Sequence, residues 1–323
     1  MTPAAGRRFD VLSMGRSCID LYAREIGVPI TGVSAFNAFV GGCPTNVAVG
    51  TRRLGLRSSL LTAVGDDPVG EFVMHFLTRE GVDVTCSPRK PGRRTSAALV
   101  TIQPPDTFSL TYYRDNCADV VLSVADVDGA PIAAARVLFL SGTGLCAEPG
   151  ATATAYAAEV ARAAGTTVVV DLDYRPSLWP DPQTFGAAVR GLLRGADLAL
   201  GTRDEVQAAA GGQLDDVDAI DRLLDTGIDA LVCKRGADGA TLFRRDAPPV
   251  DAAPFAVEVL NVLGAGDAFA SGLLYAWLNG WTLDRALRFG NATGAIVVTR
   301  HGCANDMPTL ADVEAFVDSH GGW

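Results

Sequence analysis

The sequence predicts a three-layer α/β/α domain with a mainly parallel sheet and a small β flap. Short apolar segments rich in β-branched residues alternate along the chain with Ala- and Leu-rich helical segments. Strands that are apolar throughout and separated by helices are typical of a parallel sheet buried on both faces. The 323 residues, 48% of them hydrophobic, suffice for one large α/β domain or two small ones.

The individual elements follow from this alternation. We predict strands at 9–14, 58–64, 136–140, 167–171, 198–200 and 230–233. We predict helices at 45–54, 69–79, 152–164, 183–193, 205–210, 283–298 and 310–317, the second of which is ended by Gly81.

Two segments interrupt the alternation and predict the flap. Residues 32–40 and 94–113 contain β-forming residues broken by polar ones, and Pro104-Pro105-Asp106 reads as a turn within the second segment. No Pro-rich or Gly/Ser-rich linker divides the chain. We therefore expect a single domain over residues 8–320, with lid strands at about 32–40 and 94–113.

Composition excludes several classes of function. A formal charge of −10 argues against nucleic acid or an anionic membrane as the main partner. No apolar run reaches the roughly 18–20 residues that span a bilayer, and the N-terminus lacks the pattern of a secretory signal. The seven cysteines are scattered and odd in number, which favours free thiols in a reducing compartment. We expect a cytoplasmic protein.

The most informative motif is Gly264-Ala265-Gly266-Asp267, which opens an Ala-rich helical stretch. Small residues let backbone N–H groups approach a ligand, and the helix N-terminus favours an anion such as a phosphate. A carboxylate at this point could take the proton of an attacking hydroxyl. A turn with Asp267 as an ordinary helix cap fits the motif equally well. No lysine follows a glycine, as a P-loop requires, and Phe269 stands where a Rossmann motif has its third glycine.

A second cluster lies near the N-terminus. Gly41 and Gly42 permit close approach of a ligand, and Asn46 offers both donors and acceptors. Asp20 supplies a carboxylate that can bind vicinal hydroxyls, although it could also cap a turn. The glycine pair could likewise be only a corner between a strand and a helix.

Taken together, these motifs resemble those of the ribokinase-like (PfkB) family of carbohydrate kinases, over essentially the whole chain. Gly41, Gly42 and Asn46 fall in the family's N-terminal signature, and residues 264–267 fall in its C-terminal one. Thr202-Arg203-Asp204-Glu205 stands where the family has N-x-x-E, and Met307-Pro308-Thr309 matches the entry to its last helix. The resemblance implies the ribokinase-like fold and an ATP-dependent kinase.

Further segments are similar to one branch of the family, the kinases of inositol catabolism. They are residues 15–22, 40–46, 89–96, 113–119 and 171–176. This resemblance implies phosphorylation of the 6-hydroxyl of 5-dehydro-2-deoxygluconate. A kinase for 2-keto-3-deoxygluconate or fructose is the alternative within the family, and a non-catalytic sensor of a sugar acid or nucleotide is the alternative outside enzymes.

The resemblance also implies the roles of individual residues. Asp267 is the general base, and the backbone of Gly264, Ala265 and Gly266 holds the transferred phosphate. The sugar acid is bound by Asp20, Gly41, Gly42, Asn46, Arg114, Asp173 and Arg175, with either Arg114 or Arg175 at its carboxylate and with Arg16 and Arg94 as weaker candidates. Asp173 either orients Arg175 or meets a hydroxyl. ATP is bound by Thr202, Lys234, Gly236, Gly264, Gly266 and Asn291.

Ions and assembly complete these expectations. Mg²⁺ is expected with the ATP, and Glu205 contacts it through water. Asn261 replaces the aspartate that takes part in the family's monovalent-cation site, so the requirement for K⁺ stays open. Such flaps often pair two subunits in related kinases, so we expect a homodimer whose ligands are small molecules rather than nucleic acid or membrane.

Overall fold

The structure is a computed structural model that describes residues 6–104, 107–212 and 214–323. These residues contain fourteen strands: β1 (Phe9–Met14), β2 (Cys18–Ala23), β3 (Phe36–Gly41), β4 (Ser58–Leu61), β5 (Val64–Gly65), β6 (Arg89–Lys90), β7 (Ser96–Gln103), β8 (Thr107–Tyr113), β9 (Ala135–Ser141), β10 (Thr167–Asp171), β11 (Leu198–Thr202), β12 (Ala230–Lys234), β13 (Ala240–Arg244) and β14 (Ala247–Ala252). They also contain ten α-helices: α1 (Cys43–Arg53), α2 (Pro68–Arg79), α3 (Val124–Asp128), α4 (Gly150–Ala163), α5 (Pro182–Leu193), α6 (Arg203–Ala210), α7 (Asp216–Leu224), α8 (Ala265–Leu278), α9 (Leu283–Val297) and α10 (Leu310–Ser319).

The main sheet has eight strands in the order β14-β13-β12-β11-β10-β9-β1-β4. The six strands from β12 to β4 run parallel, and β13 and β14 add an antiparallel edge. Alternate residues of β10 face opposite layers: Val168 and Val170 pack with helices α4 to α7, whereas Val169 packs with α8 and α9. The predicted three-layer α/β fold is therefore confirmed, and the two apolar faces explain why these strands are apolar throughout.

A separate four-stranded sheet, which we call the flap sheet, has the order β3-β2-β7-β8. Both segments predicted to leave the main sheet contribute strands to it. The prediction missed β2, a short strand with the carboxylate of Asp20 in its interior. Pro104 lies in a turn, while Pro105 and Asp106 of the predicted turn lie outside the described residues.

The β13–β14 hairpin is another element that the sequence did not predict, as are β6 and the helices α3 and α7. Pro248 and Pro249 lie within β14, and proline is tolerated in a strand only where a backbone donor is not needed. Because β14 is the edge of the sheet, it can carry both prolines. Strand signals based on uninterrupted β-forming residues fail at such an edge.

Two further expectations can be compared with the described residues. None of their helices combines the length and apolarity that crossing a membrane would require. All seven cysteines lie within the described part of the chain, and each is a free thiol.

Candidate active site

A cavity lies between the flap sheet and the carboxyl ends of the parallel strands. The segments that follow β1, β10 and β12 and the start of α8 all reach this edge of the main sheet. In open α/β sheets, ligands bind in this position because loops and helix N-termini converge there. The fold thus brings the two glycine-containing motifs of the sequence to one place.

The start of α8 is the floor of this cavity. Gly264 has φ +81 and precedes the first turn, and Asp267 stands within that turn. Burial, reinforced by the charge of Asp173, raises the pKa of Asp267 to about 6. Hydrogen bonds from Asn46 and Cys43 and the charge of Lys234 act in the opposite direction. At neutral pH the carboxylate is therefore mostly ionised and can accept a proton.

Asn46 joins the two sequence motifs. This residue of α1 is 3% exposed, and its Nδ2 donates to Asp267 Oδ2 over 2.7 Å. Within the described residues, Asn46 Oδ1 has no hydrogen-bond partner, although it is buried. An unpaired buried acceptor beside a carboxylate is suited to a ligand hydroxyl, because leaving the acceptor unpaired is costly.

The inner face of the flap sheet forms the roof of the cavity. Strand register aligns its lining residues in two rows, one of Asp20, Ala98 and Tyr112 and the other of Tyr22, Val100 and Leu110. Residues two apart along each strand share this face, because side chains alternate across a sheet. A single carboxylate therefore stands on an otherwise apolar and aromatic roof.

Gly41 and Gly42 leave room for the side chain of Asp20 and the backbone of Arg16. A Cβ atom at Gly41 would lie 1.9 Å from Asp20 Oδ2, and one at Gly42 would lie 2.2 Å from the carbonyl oxygen of Arg16. Gly42 also lines the cavity and has φ +107. The requirement for glycine at these positions thus comes first from packing around Asp20 and Arg16.

Two arginines line the cavity. Arg16 lies with its guanidinium 5.0 Å from the ring centre of Tyr112, and its Nη1 is 2.9 Å from Cys18 Sγ. Arg175 donates from Nε to Asp173 Oδ1 over 2.8 Å. Both guanidinium groups contribute positive charge to a pocket that also contains Asp20, Asp173 and Asp267.

Asp173 holds Arg175 from a constrained position. It has φ +39, which is unusual for a residue other than glycine. Ser141 Oγ and Thr143 Oγ1 both donate to its Oδ2, over 2.7 and 3.1 Å. Burial acts to raise its pKa, but Arg175 and these hydroxyls outweigh burial and leave the pKa below its usual value. Of the two roles left open for Asp173, this geometry fits the orientation of Arg175.

Arg114 lies outside the lining that the described residues form around the cavity. Its Nε donates to Asp119 Oδ2 over 2.8 Å, and its Nη1 is 2.9 Å from Cys146 Sγ. The Asp119 side chain is almost fully buried, so this ion pair ties the end of the flap segment to the main body. The structure thus places Arg175 and Arg16 at the cavity and engages Arg114 elsewhere.

A second buried ion pair lies beside the start of α8. Lys234 Nζ donates to Asp171 Oδ2 over 2.9 Å, and both side chains are nearly inaccessible. The same Nζ lies 3.0 Å from the position that a Cβ atom on Gly266 would take. Burial raises the pKa of Asp171 to about 7 against the opposing charge of Lys234. An ammonium group and the amides of a helix N-terminus thus meet at one point, an arrangement that suits a phosphate.

The other residues predicted to bind ATP extend from this point along the sheet edge. Thr202 pairs in register with Lys234 and caps α6, where Glu205 Oε2 accepts from the Thr202 amide over 2.7 Å. Gly236 follows β12, with open space where a Cβ would stand. Asn291 on α9 donates to the carbonyl oxygens of Ala252 and Ala253, so its side chain braces the end of β14.

Several cavity residues were not singled out from the sequence. They are Tyr22, Cys43, Ala98, Val100, Leu110, Tyr112, Leu263 and Cys303. Most of them are apolar or aromatic and carry no chemical motif. The alternation in β2, β7 and β8 could have identified the face, but not which ligand groups it covers.

The site combines an ionised carboxylate, a helix N-terminus, a buried ammonium group and two guanidinium groups. These groups can bind an anion at the start of α8 and a second anion near the flap, with a proton acceptor between them. Among the described residues, no group of three or more His, Cys, Asp or Glu side chains could hold a metal ion.

Comparisons with known proteins agree with this geometry. The chain matches the pfkB family carbohydrate kinases over residues 8–310. It is 34% identical to a 5-dehydro-2-deoxygluconokinase of Geobacillus kaustophilus over 315 residues, which covers 96% of this chain and 94% of that protein.

Solved structures show the same fold. A ribokinase II from E. coli in complex with ATP and Mg²⁺ is 25% identical with a TM-score of 0.88, covering 97% of this chain and all of that one. A fructokinase from Vibrio cholerae with bound fructose, ADP and potassium ion is 27% identical with a TM-score of 0.85, covering 96% and 99%. The family match and the curated relative show a phosphotransferase with an alcohol group as acceptor, and the chain belongs to the pfkB family of carbohydrate kinases.

Proposed function

We propose that this chain is an ATP-dependent sugar-acid kinase that phosphorylates the 6-hydroxyl of 5-dehydro-2-deoxygluconate in inositol catabolism. The observation that carries the proposal is the convergence of Asp267, Asn46 and Lys234 at the start of α8, in a cavity that also contains Arg16 and Arg175. The first three residues suit phosphoryl transfer, and the two arginines suit an acidic acceptor.

Asp267 and Asn46 activate and position the acceptor hydroxyl. The hydroxyl oxygen attacks the γ-phosphorus in line, the bond to the β-phosphate bridging oxygen breaks, and Asp267 takes the hydroxyl proton. Asn46 Nδ2 holds the carboxylate, and its unpaired Oδ1 accepts a hydrogen bond from the sugar. Asp20 on the roof binds a further hydroxyl.

Arg175 and Arg16 recognise the substrate carboxylate. Arg175 is held by Asp173 from one side, which leaves its remaining donors available to a ligand. Arg16 is held against Tyr112, so its guanidinium is already oriented in the free protein. An oriented guanidinium loses little conformational entropy on binding, which favours it for a carboxylate. Arg114 and Arg94 take no part in this proposal.

ATP binds along the sheet edge from Gly266 to Asn291. The amides of Gly264, Ala265 and Gly266 and the Lys234 ammonium hold the transferred phosphate as its charge shifts. Thr202 and Gly236 flank the remaining phosphates, and Asn291 shapes the adenine pocket through its bonds to the end of β14.

A divalent ion fits this donor set only if it keeps most of its waters. Among the described residues no group of three or more His, Cys, Asp or Glu side chains could hold a metal ion, and the carboxylates whose charges act on both Lys234 and Asp171 are Glu205 and Asp267. Since Asp267 is the proposed base, Glu205 is the one left for the ion. Mg²⁺ has this preference for water and phosphate oxygens. When bound, it neutralises the charge on the phosphates, and Glu205 orients its waters.

The flap sheet acts as the lid of a single kinase domain over residues 8–320. It covers the cavity with a mostly apolar and aromatic roof, which excludes water and limits hydrolysis of ATP.

In the described part of the chain, no further strand pairs with the outer edge of β8, and Tyr113 on that strand is 57% exposed. An open edge of this kind supports a homodimer through the flap. The seven free thiols support a cytoplasmic location.

The test is ATP-dependent release of ADP with three acceptors in parallel: 5-dehydro-2-deoxygluconate, 2-keto-3-deoxygluconate and fructose. We expect a clear preference for the first and a loss of at least about 10²-fold in turnover for Asp267→Asn. Preference for another acceptor would retain the kinase but overturn the substrate. No release with any acceptor would favour the sensor.

A pair of arginine variants tests the carboxylate contact. Arg175→Gln should raise the KM for the sugar acid at least about tenfold, because a charge-assisted hydrogen bond contributes more than 1.4 kcal/mol. Arg114→Gln is the matched control, since its guanidinium is engaged by Asp119. Equal effects of the two variants on KM would contradict this assignment.

A further inference from the structure

The family to which this chain belongs includes kinases with a monovalent-cation site, and the residues of this chain do not fit such an ion. Asn261 precedes the phosphate-binding segment and is 2% exposed. Its Oδ1 accepts from the Leu263 amide over 3.0 Å, and its Nδ2 donates to the carbonyl oxygen of His301 over 3.1 Å. Both ends of the side-chain amide are therefore used within the protein.

The orientation of this amide is fixed by its neighbours. The Leu263 amide is a donor and requires an oxygen opposite it, whereas the His301 carbonyl is an acceptor and requires an N–H. Asparagine satisfies both at once. An ionised aspartate at this position would set a second carboxylate oxygen against the His301 carbonyl, and a cation between the two, or a proton on the carboxyl group, would be needed to relieve the repulsion.

The amide joins two chain segments that shape the site. Leu260 and Asn261 both donate backbone hydrogen bonds to the carbonyl oxygen of Val298, and Asn261 then bridges to His301. His301 in turn contacts the carbonyl oxygen of Ala23 in the flap sheet through Nε2 over 3.1 Å. The segment that leads into Gly264 is thus fastened to the segment after α9 and, through it, to β2.

We propose that the Asn261 side chain takes the place of a monovalent cation and makes this enzyme independent of K⁺. The N–H of the amide bridges to the His301 carbonyl where an ion would otherwise bridge a carboxylate to it. The phosphate-binding segment is then fixed by a hydrogen bond that is present at every salt composition. The inference deepens the proposed kinase function, but its stability test requires no substrate.

The experiment compares wild type, Asn261→Asp and Asn279→Asp in potassium chloride and in tetramethylammonium chloride of equal ionic strength, at a pH well above the carboxyl range. Asn279 is the matched control, because its Nδ2 also donates to a carbonyl oxygen, that of Tyr275, but at the exposed end of α8. The readouts are the Tm of the ligand-free protein and the rate of ADP release.

For wild type and the control variant, we expect the same Tm in both salts and rates that agree within about twofold. For Asn261→Asp in tetramethylammonium chloride, we expect a Tm at least about 3 °C below that of wild type, because a buried hydrogen bond is lost and a charge is left unpaired. In potassium chloride, the variant should regain most of the lost Tm, and its rate should be at least about tenfold higher than in tetramethylammonium chloride.

Two results would overturn the proposal. One is a wild type whose Tm or rate depends on potassium. The other is an Asn261→Asp variant that matches wild type in both salts. If the variant does not fold, the wild-type comparison alone decides. If the wild type has no kinase activity but the Tm values of the three proteins respond to the two salts as expected above, the proposed function is refuted. The replacement of a cation by the Asn261 amide would still stand.

Discussion

Asn46 should set the pH at which the enzyme becomes active. Its Nδ2 donates to Asp267 Oδ2 over 2.7 Å, and with this hydrogen bond in place burial still raises the pKa of Asp267 to about 6. A hydrogen bond to a charged group contributes about 1.5–3 kcal/mol, and one pKa unit corresponds to about 1.4 kcal/mol. Asn46→Ala should therefore raise the pKa of Asp267 by about one to two units, to about 7–8.

The sign of the effect on rate follows from the proposed role of Asp267 as a base. Only the ionised carboxylate accepts a proton, so kcat/KM is lost as the pH falls through the pKa of the free enzyme. The acid limb of the profile should lie near pH 6 in wild type. In Asn46→Ala it should move upward by about one to two pH units, with about a twofold to tenfold loss at neutral pH that alkaline pH partly recovers.

The assay measures kcat/KM for the sugar acid as a function of pH. ADP release is followed in a coupled assay, with the sugar acid varied and ATP held at a saturating concentration. Asn279→Ala serves as the control, since it removes an amide from the exposed C-terminal end of α8, the helix that carries Asp267 at its start. A variant with lower activity but an acid limb at the wild-type pH would refute the reasoning. Asn46 would then act on the sugar alone and not on the ionisation of Asp267.

Three further variants probe the charges and packing around the site. Lys234→Met should lower the free energy of unfolding by about 3–5 kcal/mol, because Asp171 is left buried and unpaired. Adding Asp171→Asn should restore the stability, measured by denaturation, but not the KM for ATP, measured by steady-state kinetics. Asp267→Asn should increase the free energy of unfolding by about 1–3 kcal/mol at neutral pH, because a folded-state pKa raised to about 6 makes the ionised carboxylate of wild type costly to bury. Urea titrations should show this gain in stability disappearing below about pH 4, where the carboxyl group is protonated in both the folded and the unfolded state. Gly41→Ala should raise the KM for the sugar at least about tenfold by displacing the nearby carboxylate of β2, and an unchanged KM would contradict that placement.

Local pattern was sufficient for much of the fold. β1 and β10 begin and end at the predicted residues, and the ends of most helices lie within about two residues of the prediction, as is normal for helix boundaries. The pattern missed the helices α3 and α7. It also failed at β2 and at the β13–β14 hairpin, where a buried carboxylate and two prolines break the usual strand composition. In both cases the tertiary position, under a flap or at a sheet edge, permits residues that local propensity disfavours.

The sequence by itself determined the three-layer α/β class, the family and the segment from Gly264 to Asp267, because these depend on hydrophobic period and on residues adjacent in the chain. It could not determine which arginine faces the cavity. Arg114 and Arg175 look alike as isolated cations, and only the fold engages the first with Asp119 while it places the second, with Arg16, at the cavity. The bond between Asn46 and Asp267 spans 221 positions, and it exists because α1 and α8 start beside each other. Tertiary structure decided these points because charge recognition depends on distance in space, which local sequence does not encode.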